Sequence, residues 1–354
     1  MSKLRLQKGI QTFSPAYFAL AMSTGIISIA SRILGFNVIS NWFFVINNIE
    51  FVILSLLFIL RLLYFFPDFK KDLSSHSEGA GFLTITAAAC ILGTEYALLK
   101  YHFNVAVILW YFALCAWLVL VYSFFILVTI KKQKPTLEDG INGSWLLFVV
   151  SVQALSILGS TVAPHLNLPM PVALFINLFF YLLGVLFYLI VIGIIFYRTT
   201  FFPMKATEFK PSYWIDMGAA AITTLAGVIL VKDMNGIVTQ QNFIPTIKVL
   251  SVLFWIAGTW WIPVICFLEV WRHKIIPIKY NAGYWSLVFP LGVYSICTML
   301  LADVLSLPFL KRISDLTIVF AWIAWFITFT AMCISLIKSF FLTKSVLNKN
   351  GQLQ

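Results

Sequence analysis

The sequence predicts an all-α integral membrane protein of ten transmembrane helices, arranged as five quasi-symmetric helical hairpins whose odd-numbered helices form an inner pore ring. Three observations predict it. First, 61% of the 354 residues are hydrophobic and only 10% are charged, against about 25% charged in soluble domains, so only lipid can cover such a surface. Second, apolar runs of about 20 residues recur along the chain, each long enough to cross a hydrocarbon core of roughly 30 Å. Backbone groups in lipid must pair within their own segment, so the runs are helices; they lack the alternation of barrel strands. Third, the runs repeat at a nearly constant period.

The spans read as 14–34, 42–66, 80–99, 104–130, 143–164, 170–197, 213–231, 244–271, 283–303 and 314–342. Residues 1–12 form an N-terminal extension, 13–342 the membrane domain and 343–354 a short polar tail. Lys3, Arg5 and Lys8 before an apolar run imitate a signal peptide. That run is too long for one and shares the pattern of later spans, so it is the first helix. Of the 24 lysines and arginines, eighteen fall on the side that holds both termini and six on the other. The positive-inside rule makes both termini cytoplasmic, in a cell (plasma or inner) membrane. The same topology accounts for the net charge of +11 without nucleic acid.

The odd spans open alike, with a small residue and then an aromatic one: Ala16-Tyr17, Gly81-Phe82, Ser144-Trp145, Ser212-Tyr213 and Gly283-Tyr284. Successive aromatics are 65, 63, 68 and 71 residues apart, the mark of a duplicated hairpin. In a gapless alignment on that aromatic, position 8 holds Gly25, Cys90, Gln153, Ala221 and Gly292, and position 11 holds Ser28, Gly93, Ser156, Thr224 and Ser295. The two positions share a helix face. Small residues there either pack helices closely or line a narrow path inside a ring of five parallel helices. Gln153 either donates to a passing anion or bonds a neighbouring helix. The helix N-termini and the basic loops make one mouth positive, while Arg32, Lys100 and Lys232 follow three inner helices at the other. Such mouths concentrate anions.

At position 5, Phe289 aligns with Met22, Ala87, Val150 and Gly218 and precedes Pro290. Proline frees the carbonyl four residues back, that of Ser286, and bends the helix. From the residues alone, Phe289 either faces the path or packs between helices. Among acids within or near the ends of spans, Glu50, Glu95, Asp216, Glu269 and Asp303, Glu95 and Asp216 are the candidates for a proton relay. Cys90, Cys115, Cys266, Cys297 and Cys333 form no CxxC pair, and His76, His102, His165 and His273 have no metal-ligand spacing, so neither a metal nor a cofactor is expected. No nucleophile–base pair, paired carboxylate or phosphate-binding loop indicates an enzyme, and no cytosolic segment indicates a scaffold.

The segments FSPAYFALAMSTGIIS, GSWLLFVVSVQALSILG and GYWSLVFPLGVYS resemble the family of tellurite-resistance and C4-dicarboxylate transport proteins, which includes the slow anion channels of plant guard cells. The resemblance covers about residues 13 to 340. Ser23 stands where a related pattern has the first glycine of Gly-Thr-Gly. The resemblance implies a central pore in each subunit of a homotrimer and a phenylalanine of the ninth helix plugging that pore; Phe289 matches it. Two functions follow as expectations: a channel or uniporter for small anions such as chloride or nitrate, or a proton-linked carrier of C4-dicarboxylate, sulfite or tellurite-related oxyanions.

Overall fold

The computed structural model describes residues 2–235 and 237–350, with side chains for 7–235, 237 and 241–338. Residues 351–354, the end of the expected tail, lie outside the described residues. All regular elements among the described residues are helical. Ten helices are long and apolar enough to cross a membrane: span 1 Pro15–Ile33, span 2 Asn37–Tyr64, span 3 Gly79–Lys100, span 4 Phe103–Ile130, span 5 Gly143–His165, span 6 Met170–Phe201, span 7 Pro211–Met234, span 8 Gln241–Ile275, span 9 Ala282–Leu305 and span 10 Phe309–Lys338. A further helix, Ser2–Gln11, precedes them, and the helix of span 10 runs on to Asn350. Spans 2 and 10 each begin five residues before the sequence-based boundary. Asn37, Asn41, Lys311 and Arg312 are polar but helical, and hydropathy marks apolarity rather than helix.

The two sets of spans differ in length and in surroundings. The odd spans are 19 to 24 residues long and the even ones 28 to 35. Between 67 and 94% of each odd span's most apolar stretch is buried, against 22 to 39% for the even spans. Each odd span packs against the even span that follows it, and the odd spans touch in the cyclic order 1, 3, 5, 7, 9 and back to 1. The even spans present Trp42, Ile49, Ile108, Phe175, Trp260 and Phe267 outward, as lipid contact requires.

Polar anchors hold the loops at the face where the odd spans begin, called proximal below, the opposite face being distal. Arg61 closes span 2 there with its side chain only 2% exposed; it pairs with Asp72 and donates to the Phe13 carbonyl. Arg198 closes span 6 in the same way, donating to the Glu138 and Pro203 carbonyls and to Glu208. The Lys205 backbone N–H and Arg198 hold the Glu208 carboxyl below the usual carboxylate range. Hydrogen bonds to charged groups contribute roughly 1.5 to 3 kcal/mol each. Arg61→Met should therefore destabilise the fold by on the order of 2 kcal/mol, seen as a lower Tm in detergent. An unchanged Tm would assign Arg61 to topology alone.

Candidate functional site: an axial path between two cavities

Every odd span enters through a 3-10 turn: Pro15–Tyr17, Gly79–Leu83, Gly143–Leu146, Pro211–Trp214 and Ala282–Tyr284. These turns carry the five small–aromatic pairs of the repeat. Side chains of Ser14, Asn142 and Asn281 accept from the backbone N–H two residues on and so cap three of them. Each turn touches the next and the fifth touches the first. At the closest approach, Gly143 lies so near the Ser212 carbonyl that a Cβ has no room. Gly81, the small residue of the second pair, likewise lies close to Ala16 of the first, where a Cβ would stand 3.1 Å from the Ala16 Cβ.

Inside them lies a proximal cavity of about 530 Å³. Its wall includes the small residue of every pair and, at position 2, Ala19, Thr84, Leu147, Ile215 and Ser286. Arg272 and Lys210 also line it, as does Glu78, which pairs with Lys210 at 3.6 Å across two repeat units. A distal cavity of about 350 Å³ is lined at position 12 by Ile29, Thr94, Ile157, Leu225 and Ile296, and at position 16 by Ile33, Leu98, Thr161, Ile229 and Leu300. Position 9 adds Ile26, Ile91, Ala154 and Ile222.

Positions 2, 5, 9, 12 and 16 step by three and four, so they form one stripe on a helix of 3.6 residues per turn. Position 5 therefore shares the face of both cavities. Its residues Met22, Ala87, Val150, Gly218 and Phe289 line neither cavity and are all buried. This layer separates the two spaces. Phe289, 2% exposed, is its bulkiest member. Gly218 makes room beside it, since a Cβ there would stand 2.7 Å from Pro290 Cγ.

The expected lining residues lie elsewhere. At position 11, Ser28 donates to the Ser40 carbonyl at 2.9 Å, Ser156 to Asn177 at 2.9 Å, Thr224 to Ser251 at 3.2 Å and Ser295 to Ser314 at 2.9 Å. Each bond ties an inner helix to its own outer helix. Gly93, without a hydroxyl, packs against Leu109 and Leu158. At position 8, Gln153 donates to the Tyr181 carbonyl of span 6 at 3.1 Å, and Gly25 lies against Asn47 and Glu95, Gly292 against Ile26 and Ala221 near Gly258. Of these two positions only Cys90 reaches a cavity. One residue along a helix turns the side chain by about 100°, so position 12 faces the axis while position 11 faces the outer layer. Small hydroxyl residues mark the tight seam between the layers, and the axis is walled mainly by isoleucine and leucine.

Of the three expected distal-mouth charges, Lys232 lines the cavity. Arg32 is held by Asn37, and Lys100 by Asn41 at 2.9 Å, with its ammonium 5.1 Å from the Phe44 ring. Asp233, missed in the sequence, lines the cavity beside Lys232; in the last turn of its helix and next to a lysine, it gave no signal. Thr94 and Thr161 were missed because the alignment favoured the face on which all five residues are small. Glu95 and Asp216 are both buried and line neither cavity. Glu95 accepts from Asn47 of span 2. Asp216 sits in the first turn of its helix, with the Tyr188 hydroxyl on its backbone carbonyl at 3.3 Å. No group of three or more metal-ligating side chains occurs among the described residues.

Comparison with known proteins bears on this arrangement. The chain is 23% identical over 301 residues to an uncharacterized transporter of Methanocaldococcus jannaschii, covering 83% of this chain and 86% of that one. A second uncharacterized transporter of that organism is 23% identical over 291 residues, 80% and 82% of the two chains. An uncharacterized membrane protein of Mycobacterium tuberculosis is 36% identical over 143 residues, 38% of this chain and 69% of that one. The sequence pattern of the family described as SLAC1, voltage-dependent anion channel, matches residues 12–333. That match takes in nine spans and most of the tenth, and the chain accordingly belongs to the SLAC1 family of anion channels and transporters, the one that also holds the tellurite-resistance and C4-dicarboxylate transport proteins.

Proposed function

We propose that the chain is an anion-selective channel or uniporter that passes small inorganic anions along the axis of its five inner helices, with Phe289 as the closing element. The observation that carries this reading is the single face shared by both cavities and by the Phe289 layer between them. The proximal side is cytoplasmic, as the lysine and arginine bias requires. The path is contained in one chain, so a homotrimer would hold three separate paths.

The walls favour weakly hydrated anions. Among the described residues, the distal cavity's only charged lining groups are Lys232 and Asp233, and the remainder is aliphatic apart from Cys90, Thr94 and Thr161. Nothing there replaces the hydration shell of a divalent oxyanion or a dicarboxylate. Conduction needs binding weak enough to release the ion, and such a wall meets that condition. Nitrate and iodide should permeate better than chloride, and chloride better than fluoride, in bi-ionic reversal potentials. Lys232→Gln should lower conductance severalfold at low salt and little at high salt, because a mouth charge acts over a Debye length of about 10 Å at 0.1 M. Arg32→Gln and Lys100→Gln should have smaller effects, since both side chains are engaged by asparagines. Faster movement of succinate or sulfite than of chloride, with a strict need for a pH gradient, would overturn the channel reading in favour of a proton-linked carrier.

A further inference from the structure

Behind the distal cavity, spans 1, 2, 3 and 10 enclose two carboxyl groups that the proposed path does not use. Glu95 of span 3 is fully buried and Glu50 of span 2 is 8% exposed. Asn47, one turn before Glu50 on the same helix face, donates its amide to Glu95 Oε2. Gly25 of span 1 leaves the space in which they meet: a Cβ there would stand 2.5 Å from Asn47 Nδ2 and 3.1 Å from Glu95 Oε2. Glu50 interacts electrostatically with Glu95.

The pocket is poor in donors. Both Glu50 oxygens, Glu95 Oε1 and Asn47 Oδ1 have no hydrogen-bond partner. Ser28, beside Glu95, commits its proton to the Ser40 carbonyl. Thr24, whose hydroxyl lies beside Glu50, accepts from Trp325 Nε1 of span 10 at 2.9 Å and keeps its own proton to offer to that carboxyl. The basic residues of these spans are occupied or exposed elsewhere: Arg32 with Asn37, Lys100 with Asn41, Arg61 with Asp72 and Lys311 with Asp303, while Arg312 and Lys338 are exposed. Tyr96 donates to Asn48, and Cys90 faces the cavity. Span 10 presents Trp325, which does not ionise. Two carboxyls buried together without a cation do not both ionise, because each charge is desolvated and repels the other. A proton on one of them removes that repulsion and adds a donor to a pocket that has few.

We propose that Glu50 and Glu95 form a proton-binding site in the wall of the anion path, and that loss of its proton suppresses anion passage. Glu95 adjoins Thr94 and lies one turn from Ile91, both of which line the distal cavity. A carboxylate there stands one side chain behind the wall and repels an anion within. In surroundings of intermediate dielectric such a charge changes occupancy on the order of tenfold. By linkage, an anion in the cavity favours the bound proton to the same degree. The inference rests on the reading that this cavity carries anions.

The test is chloride flux from vesicles of the reconstituted protein at equal internal and external pH, stepped between acid and alkaline values. With the site protonated no charge in the wall opposes an anion in the cavity, so wild-type flux should be highest in acid and fall about tenfold as pH rises through the site's titration. Glu95→Gln should hold the acid-level flux throughout. Glu50→Gln should move the midpoint to lower pH, because the charge that opposes proton loss from Glu95 is gone. In parallel, the infrared band of a protonated carboxyl in the wild type should fade at the same midpoint as the flux. A flux profile unchanged in a folded Glu95→Gln, or a carboxyl band constant across the wild-type transition, overturns the proton site. Absence of chloride flux at every pH, with the titrating band present, instead overturns the conduction reading and leaves the proton site standing.

Discussion

Phe289→Ala should raise chloride flux at least tenfold. The layer that separates the two cavities contains Met22, Ala87, Val150, Gly218 and Phe289. Two of the five are no larger than alanine, so the phenyl ring supplies most of the bulk that closes the axis. Truncation to alanine removes it and joins the cavities of about 530 and 350 Å³. The backbone of span 9 is unaffected, because Pro290 and its Gly218 niche remain. Removing a buried phenylalanine costs about 3 to 5 kcal/mol of stability, so flux must be normalised to protein that elutes as a single folded species. Phe289→Leu should give an intermediate flux. Selectivity among halides should change little, since the walls at positions 9, 12 and 16 are untouched. Wild-type flux from a well-folded Phe289→Ala would return this side chain to ordinary packing.

The second large effect separates adjacent residues. In a Cys90→Ala background, cysteines at Ile29, Ile157, Leu225 and Ile296 should react with a small water-soluble thiol reagent added from the distal side. Cysteines at Ser28, Ser156, Thr224 and Ser295 should react at least tenfold more slowly. The first set lines the distal cavity, whereas each residue of the second set donates into the outer helix layer. Labelling rates followed by mass shift measure the difference. Equal rates at the two positions would mean that the inner helices are rotated, and the assignment of the axial face would fall. In the unmodified protein Cys90, also on the cavity wall, should react before Cys297, which is buried away from both cavities.

The primary sequence by itself determined the membrane class and the number of spans. Both depend on properties summed over many residues: composition over the whole chain and hydropathy over each whole span. The five small–aromatic pairs were also legible, and each lies in the 3-10 turn that opens an inner helix. The face that points to the axis was not legible. Inside the bundle every side of an inner helix is buried, so no amphipathic contrast distinguishes the axis from the outer layer. Small hydroxyl residues suggested a polar lining, but each hydroxyl had a nearer acceptor in a carbonyl of its partner helix. Ile29, Ile157 and Ile296, which the alignment of the repeats did not single out, line the cavity instead. The tertiary structure also decided which charges remain at the distal mouth, because asparagines on span 2 hold Arg32 and Lys100. It likewise placed Glu50 with Glu95, residues on different spans that meet only when the helices pack around the gap left by Gly25. Period and composition are carried by the chain, but the rotation of each helix about its own axis is set by which neighbours satisfy its polar groups.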